Sequence, residues 1–256
     1  KRIVGETIKT REKQGIVRPD MIHLLMQAQD KDSSSNHKMT LDDIVAQAFI
    51  FFLAGFETSA ILMCFVAHEL AVNPDIQDRL REEVQQHLVE GNEISYESLS
   101  KMTYMDMVIS ETLRKYPPVI FTDRLCTKSY ELPPSKPGYK SVTVQSDSVM
   151  MIPVFALHRD PQYYPNPDKF DPERFSEENK DNIVPYTYLP FGQGPRKCIG
   201  NRFALMETKI LVAHLLQKFI LKRTEKTVEP VVFDKKEFNP QPEGGFWISL
   251  EKRETL

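Results

Sequence analysis

From Ile44 to Ala67 the chain runs through 24 residues with one charged side chain, Glu57. A run that apolar must enter either a bilayer or a protein core. A carboxylate near the middle of a spanning helix costs about 2.5–3.5 kcal/mol. The uncharged stretch before it holds only 13 residues, 44–56, short of the roughly 20 that cross a hydrocarbon layer. A buried core helix is therefore expected. Thr40 followed by Asp42 and Asp43 supplies an N-cap and first-turn acids, and Asn73-Pro74 supplies a stop. A helix from Thr40 to about Ala71 is roughly 45 Å long at 1.5 Å per residue, enough to cross a whole domain.

Helical grammar extends through the first half of the chain. Pro19-Asp20 opens a segment with Met21, Leu24, Leu25 and Ala28 on one face. Ser33-Ser34-Ser35-Asn36 reads as a polar loop. Asn73-Pro74-Asp75 caps a further helix with a charged face through Asp78, Arg79, Arg81, Glu82 and Glu83. Another spans about Met102 to Tyr116 and stops at Pro117-Pro118. Beyond it, Val142-Thr143-Val144 and Val149-Met150-Met151-Ile152 read as two strands of one hairpin. Residues 153–195 are rich in proline and aromatics with little periodicity, a length of irregular chain that is usually functional. A last helix fits Ile199 to Phe219, and Gly244-Gly245 turns the tail into a strand. The fold class is α+β, mainly helical, in one incomplete domain: helices over 1–124, hairpin, meander and loop over 125–197, last helix and terminal hairpin over 198–256.

Composition narrows the function. With 256 residues, 41% hydrophobic, and a net charge of −3, the chain has ample core and no basic stripe for nucleic acid. Three scattered cysteines, Cys64, Cys126 and Cys198, exclude a paired disulfide framework and suit a reducing compartment. No two histidines lie within five positions and no C-x-x-C occurs, so a structural zinc site is not expected. No signal peptide or apolar anchor opens the sequence as it stands.

The chemistry concentrates in Phe191-Gly192-Gln193-Gly194-Pro195-Arg196-Lys197-Cys198-Ile199-Gly200. Glycines and a proline make a tight, stiff loop that lets backbone approach another group closely. Cys198 falls at the entry of the last helix, where helix-end potential and nearby cations suit an anionic sulfur. Such a sulfur serves as nucleophile, metal ligand or core residue. The cationic, glycine-flanked setting counts against the core, and no cysteine-protease signature accompanies it, so the ligand role leads.

This loop resembles the haem-ligand motif F-x-x-G-x-R-x-C-x-G of the cytochrome P450 monooxygenases, at Phe191, Gly194, Arg196, Cys198 and Gly200. Three more motifs follow the family's order. Ala54-Gly55-Phe56-Glu57-Thr58-Ser59 is similar to its oxygen-activation motif, Glu111-Thr112-Leu113-Arg114 to its E-x-x-R, and Pro172-Glu173-Arg174-Phe175 to its P-E-R-F. The likeness runs from about Pro19 to the end and is strongest to insect microsomal members. It implies the C-terminal portion of the fold, with the anchor, a haem-covering helix and a loop over the substrate outside this chain.

The resemblance implies haem b with Cys198 as axial thiolate, the ligand that donates electron density and favours O–O cleavage. Arg196 and Arg124 would pair with haem propionates, and Phe191 would shield the sulfur. Gly194 and Gly200 would let the loop approach the haem. Ala54 and Thr58, at i and i+4, share a helix face, and Gly55 opens room beside the iron. The Thr58 hydroxyl, fed by Glu57, would order water and relay protons. Glu111, Arg114 and Arg174 would form a buried structural network, outside the chemistry. Phe52, Val119, Ile120, Phe121 and Phe246 are candidate substrate contacts as apolar residues, and His158 is assigned to packing. The implied reaction inserts one atom of O2 into an apolar xenobiotic, hormone or lipid. Electrons would come from NADPH through a reductase, with a cytochrome b-type protein as a further donor, docking near Lys197. The family location is the cytosolic face of the endoplasmic reticulum membrane. Two rivals remain: a haem-free, inactive fragment, and a haem-thiolate enzyme that rearranges peroxides without O2, for which Glu57-Thr58 is the wrong signature.

Overall fold

The computed structural model describes residues 1–31, 39–88, 94–237 and 239–253. It forms two compact units, Lys1–Glu57 and Thr58–Leu256. The polar loop expected at 33–36 lies outside the described residues.

The first unit contains α1 (Arg2–Gln14), α2 (Met21–Lys31) and the opening half of α3 (Leu41–Val72). Helix α1 has no counterpart in the sequence reading. Gly15, in the left-handed region at φ 63°, closes it, and Arg11 and Asp20 join it to α2 by two parallel hydrogen bonds of 2.7 and 2.6 Å. The same carboxylate accepts the His23 amide at 3.0 Å, so Asp20 rather than Pro19 starts α2. Thr40 begins α3 as expected: its hydroxyl accepts the Asp43 amide at 3.2 Å, and the Asp43 carboxylate accepts the Thr40 amide at 2.8 Å.

Helix α3 departs from a uniformly buried core helix. Phe49, Ile50, Phe51, Phe52, Leu53 and Phe56 are exposed, whereas Ile61, Leu62, Phe65, Val66, Leu70 and Ala71 are buried. Hydropathy alone does not distinguish the halves, because burial depends on what packs against each turn.

The second unit packs the rest of α3 with α4 (Pro74–Gln86), α5 (Tyr96–Lys101), α6 (Thr103–Lys115) and α8 (Asn201–Lys218). Leu70, Leu80, Val84, Met105, Ile109 and Leu216 meet in its principal core. Asn73 precedes α4 but makes no side-chain cap; its amide turns back to Glu69. The start of α6 is closed from a distance, where Glu83 accepts the Tyr104 and Met105 amides at 2.7 and 2.8 Å. These are first-turn donors without intrahelical partners.

Among the described residues, three two-stranded antiparallel sheets complete the α+β architecture. They pair β1 (Thr122–Leu125) with β4 (Val149–Ile152), β2 (Tyr130–Leu132) with β3 (Val142–Val144), and β5 (Phe219–Arg223) with β6 (Ile248–Lys252). The hairpin expected between 142–144 and 149–152 does not form. The polar residues between those runs bond across to the segment joining β1 and β2: Cys126 N–H to Ser148 O at 2.9 Å, and Asp147 N–H to Cys126 O at 2.7 Å. The two β-runs thus lie along one arm of a bent ribbon, and the true hairpin is β2–β3. Residues 153–195 hold α7 (Val154–His158) and short 3-10 turns at Pro172–Phe175, Lys180–Asn182 and Gly194–Arg196, more regular structure than their composition suggests.

Candidate functional site

The Cys198 loop is shaped by its backbone. Gly192 and Gly194 adopt φ of 67° and 79°, the left-handed region that residues with a Cβ rarely enter. The Cys198 amide donates to Phe191 O at 2.9 Å, and Lys197 N–H to Gly194 O at 3.0 Å, so the loop folds back on itself just ahead of α8. Phe191 packs against the principal core and anchors the loop. Cys198 is a free, exposed thiol, as are the side chains of Arg196 and Lys197. Ile199 and Phe203 are 86% and 70% exposed, an unusual placement for large apolar groups beside a thiol. A Cβ on Gly200 would stand 3.9 Å from the sulfur, ordinary contact that leaves the thiol room.

Arg124 reaches this loop from β1. One guanidinium nitrogen donates to Gln193 O at 3.3 Å, while the other is held by Thr122 Oγ1 and Asp123 O at 3.0 and 2.6 Å. The structure thus brings Arg124 to the segment that carries Arg196 and Cys198.

The second constellation is fully internal. Glu111 and Arg114, both at 0% exposure, form a bidentate pair at 2.7 and 2.9 Å. Arg114 also donates to His158 O and Pro167 O, both at 2.8 Å. Glu111 also accepts the Asp171 amide at 2.9 Å, and Arg174 approaches it at 3.4 Å while donating to Pro165 O and Asn166 O. One helix thereby clamps the irregular chain between α7 and the P-E-R-F turn. His158 does more than fill space. Its Nε2 accepts the Leu189 amide at 2.8 Å, which assigns the proton to Nδ1, 3.2 Å from Arg114 O. Burial pushes its pKa down to about 4. This bridge from α6 to the residue two before Phe191 had no signal in the sequence beyond a lone histidine.

The expected distal residues lie along α3. Ala54, Gly55 and Glu57 belong to the first unit and Thr58 to the second. A Cβ on Gly55 would meet nothing within 4 Å, and Phe52 stacks on Phe56 with ring centres 5.6 Å apart. Among the candidate substrate contacts, Val119 is 51% exposed and Ile120 and Phe121 are half-buried. Phe246 instead packs edge-on against Phe65, 4.8 Å between ring centres.

The family model for Cytochrome P450 matches residues 1–248. The chain belongs to this family. Among curated proteins it is similar to Cytochrome P450 9e2 of Blattella germanica (53% identical over 98% of this chain and 49% of that protein). It is also similar to Probable cytochrome P450 9f2 of Drosophila melanogaster (48%, over 98% and 50%), and to Cytochrome P450 6j1 of Blattella germanica (41%, over 98% and 48%). The chain thus spans about half the length of the curated relatives it matches. Family membership makes haem with a cysteine thiolate the cofactor to test against these residues. The donor set fits it: an outward thiol for the metal, exposed Ile199 and Phe203 for an apolar macrocycle, and the Arg196 and Arg124 cations for carboxylates.

Proposed function

We propose that the protein of which this chain forms part is a haem-thiolate monooxygenase acting on apolar small molecules of xenobiotic, hormone or lipid type. The observation that carries this reading is the outward Cys198 thiol, held by a self-bonded glycine loop, in a chain of the cytochrome P450 family. Bound there, haem would supply the activation of O2 by which one oxygen atom enters substrate and the other leaves as water. Cys198 would be the thiolate ligand, on a backbone held by its N–H bond to Phe191 O. Phe191 would keep water from the sulfur, and Gly194 and Gly200 would keep side chains off the approach. Arg196 and Arg124 hold the propionates by charge-assisted hydrogen bonds.

Thr58 would order water and Glu57 would feed protons to it, while Ala54 and Gly55 would leave space along their helix. Glu111, Arg114 and Arg174 hold the fold together without touching the chemistry. Phe52, Val119, Ile120 and Phe121 offer apolar contacts to substrate. Electrons come from NADPH through a reductase, or from a cytochrome b-type donor, attracted to the Lys197 side. The working location is the endoplasmic reticulum membrane.

The test is a reduced carbon-monoxide difference spectrum on the full-length protein and on the 256-residue chain, with Cys198→Ser in parallel. A strongly red-shifted Soret band that the substitution abolishes is the expected result. A band indifferent to Cys198 would overturn the ligand assignment. Haem uptake by the full-length protein alone would assign the activity to the whole protein and not to this chain.

A further inference from the structure

Tyr116 stands directly after α6 and immediately before Pro117-Pro118-Val119. Its ring, 1% exposed, lies parallel to Phe65 of α3, with centres 4.0 Å apart and planes within 4°. Its phenol donates to Glu69 Oε1 at 2.6 Å. Glu69 is itself 2% exposed and also accepts from Lys115 Nζ and Asn73 Nδ2, each at 2.9 Å. A buried carboxylate so fully engaged makes a fixed acceptor, since shifting the phenol would leave a buried charge under-bonded. Phe246 rests on the same support, edge-on to Phe65.

The segment that follows is stiff. Two prolines restrict φ at consecutive positions, and Ile120 O accepts the Phe155 amide at 2.9 Å. Val119 is thus displayed between two fastened ends. Displacement at Tyr116 is passed to Val119, because the intervening chain has little freedom to absorb it. Phe65 lies seven residues after Thr58 on α3, two turns along the same helix face.

Building on the haem-thiolate reading, we propose that Tyr116 is a positioning residue. Its bond to Glu69 and its stack on Phe65 set the register of Val119 and Phe246 relative to Thr58, and so decide which part of an apolar ligand is presented to the iron. Tyr116 touches neither substrate nor haem in this role.

The test uses the full-length, haem-bearing protein and two probes, 4-phenylimidazole and 4-phenylpyridine. Both ligate haem iron through a ring nitrogen; the phenyl group points obliquely in the first and along the metal–nitrogen axis in the second. The readout is the ratio of their dissociation constants, from optical titration. Tyr116→Phe keeps the stacked ring and removes only the hydrogen bond; it should retain the thiolate band and change the ratio by roughly three- to tenfold, the range for one lost buried hydrogen bond. Tyr188→Phe, whose phenol donates to Ser110 O at 3.0 Å away from this segment, should leave the ratio unchanged. An unchanged ratio in Tyr116→Phe, or an equal change in Tyr188→Phe, overturns the proposal while the haem-thiolate reading stands. Absence of the thiolate band in the parent protein overturns both. Should Tyr116→Phe not retain haem, Glu69→Gln decides: it weakens the same bond, and an unmoved ratio there rejects the positioning role.

Discussion

The Glu111–Arg114 network and the Cys198 loop lie in the same unit and use their polar groups in opposite ways. In the network, every charged group is bonded to the chain itself: Arg114 reaches Glu111, His158 O and Pro167 O with no exposure at all. In the loop, the backbone bonds to itself while the thiol, Arg196 and the neighbouring Ile199 and Phe203 face outward. Burial of charge is costly unless partners repay it, so the network is an arrangement that folding must complete. The loop takes its shape from main-chain bonds and the packed Phe191 ring, which leaves the Cys198 and Arg196 side chains available to bind something else.

That contrast breaks or sharpens through three measurements of stability. The largest effect belongs to Arg114→Ala, which strands the Glu111 carboxylate in the interior. A loss of about 3–5 kcal/mol is expected, enough to leave misfolded, haem-free protein, and chemical denaturation measures it. A variant of near-parental stability with full haem content would refute the buried-network account.

Acid should produce the next effect. His158 resists protonation in the folded protein until about pH 4, against an ordinary value of 6.5. Its folded pKa is depressed, so between those values the unfolded chain binds the additional proton. Stability present above pH 6.5 is lost as the pH falls toward 4, by on the order of 3 kcal/mol. Thermal melts across that range should show the loss, and His158→Gln should flatten the dependence. An equally steep acid loss in His158→Gln would assign it to other groups.

The smallest effect is expected at Cys198. Cys198→Ser alters an exposed side chain, and without haem its unfolding free energy should stay within about 0.5 kcal/mol of the parent, while thiolate ligation disappears. A large loss of stability in the haem-free variant would show that the loop, like the network, is held by its side chains.

Much of this was legible in the order of residues. Thr40, Asp43 and the apolar run predict α3 because capping and hydropathy are local properties, read over a few positions. The E-x-x-R spacing predicts a same-face pair at i and i+3 for the same reason. Strand pairing was not legible: Val142–Val144 and Val149–Ile152 have the composition of strands, but their partners are chosen by bonds from residues 145–148 to residues 126–129. Nor was α1, whose sequence is too polar to advertise a packed face.

The sequence by itself determined the family and the principal helices, since each rests on residues close together in the chain. Tertiary structure decided the rest. It chose which half of α3 is buried, made His158 a bridge between Arg114 and Leu189, and joined Tyr116 to Glu69 and Phe65. Those contacts join residues 31 to 51 positions apart, and no local pattern encodes them. They arise only when packing brings a buried donor to the one acceptor that spares it the cost of desolvation.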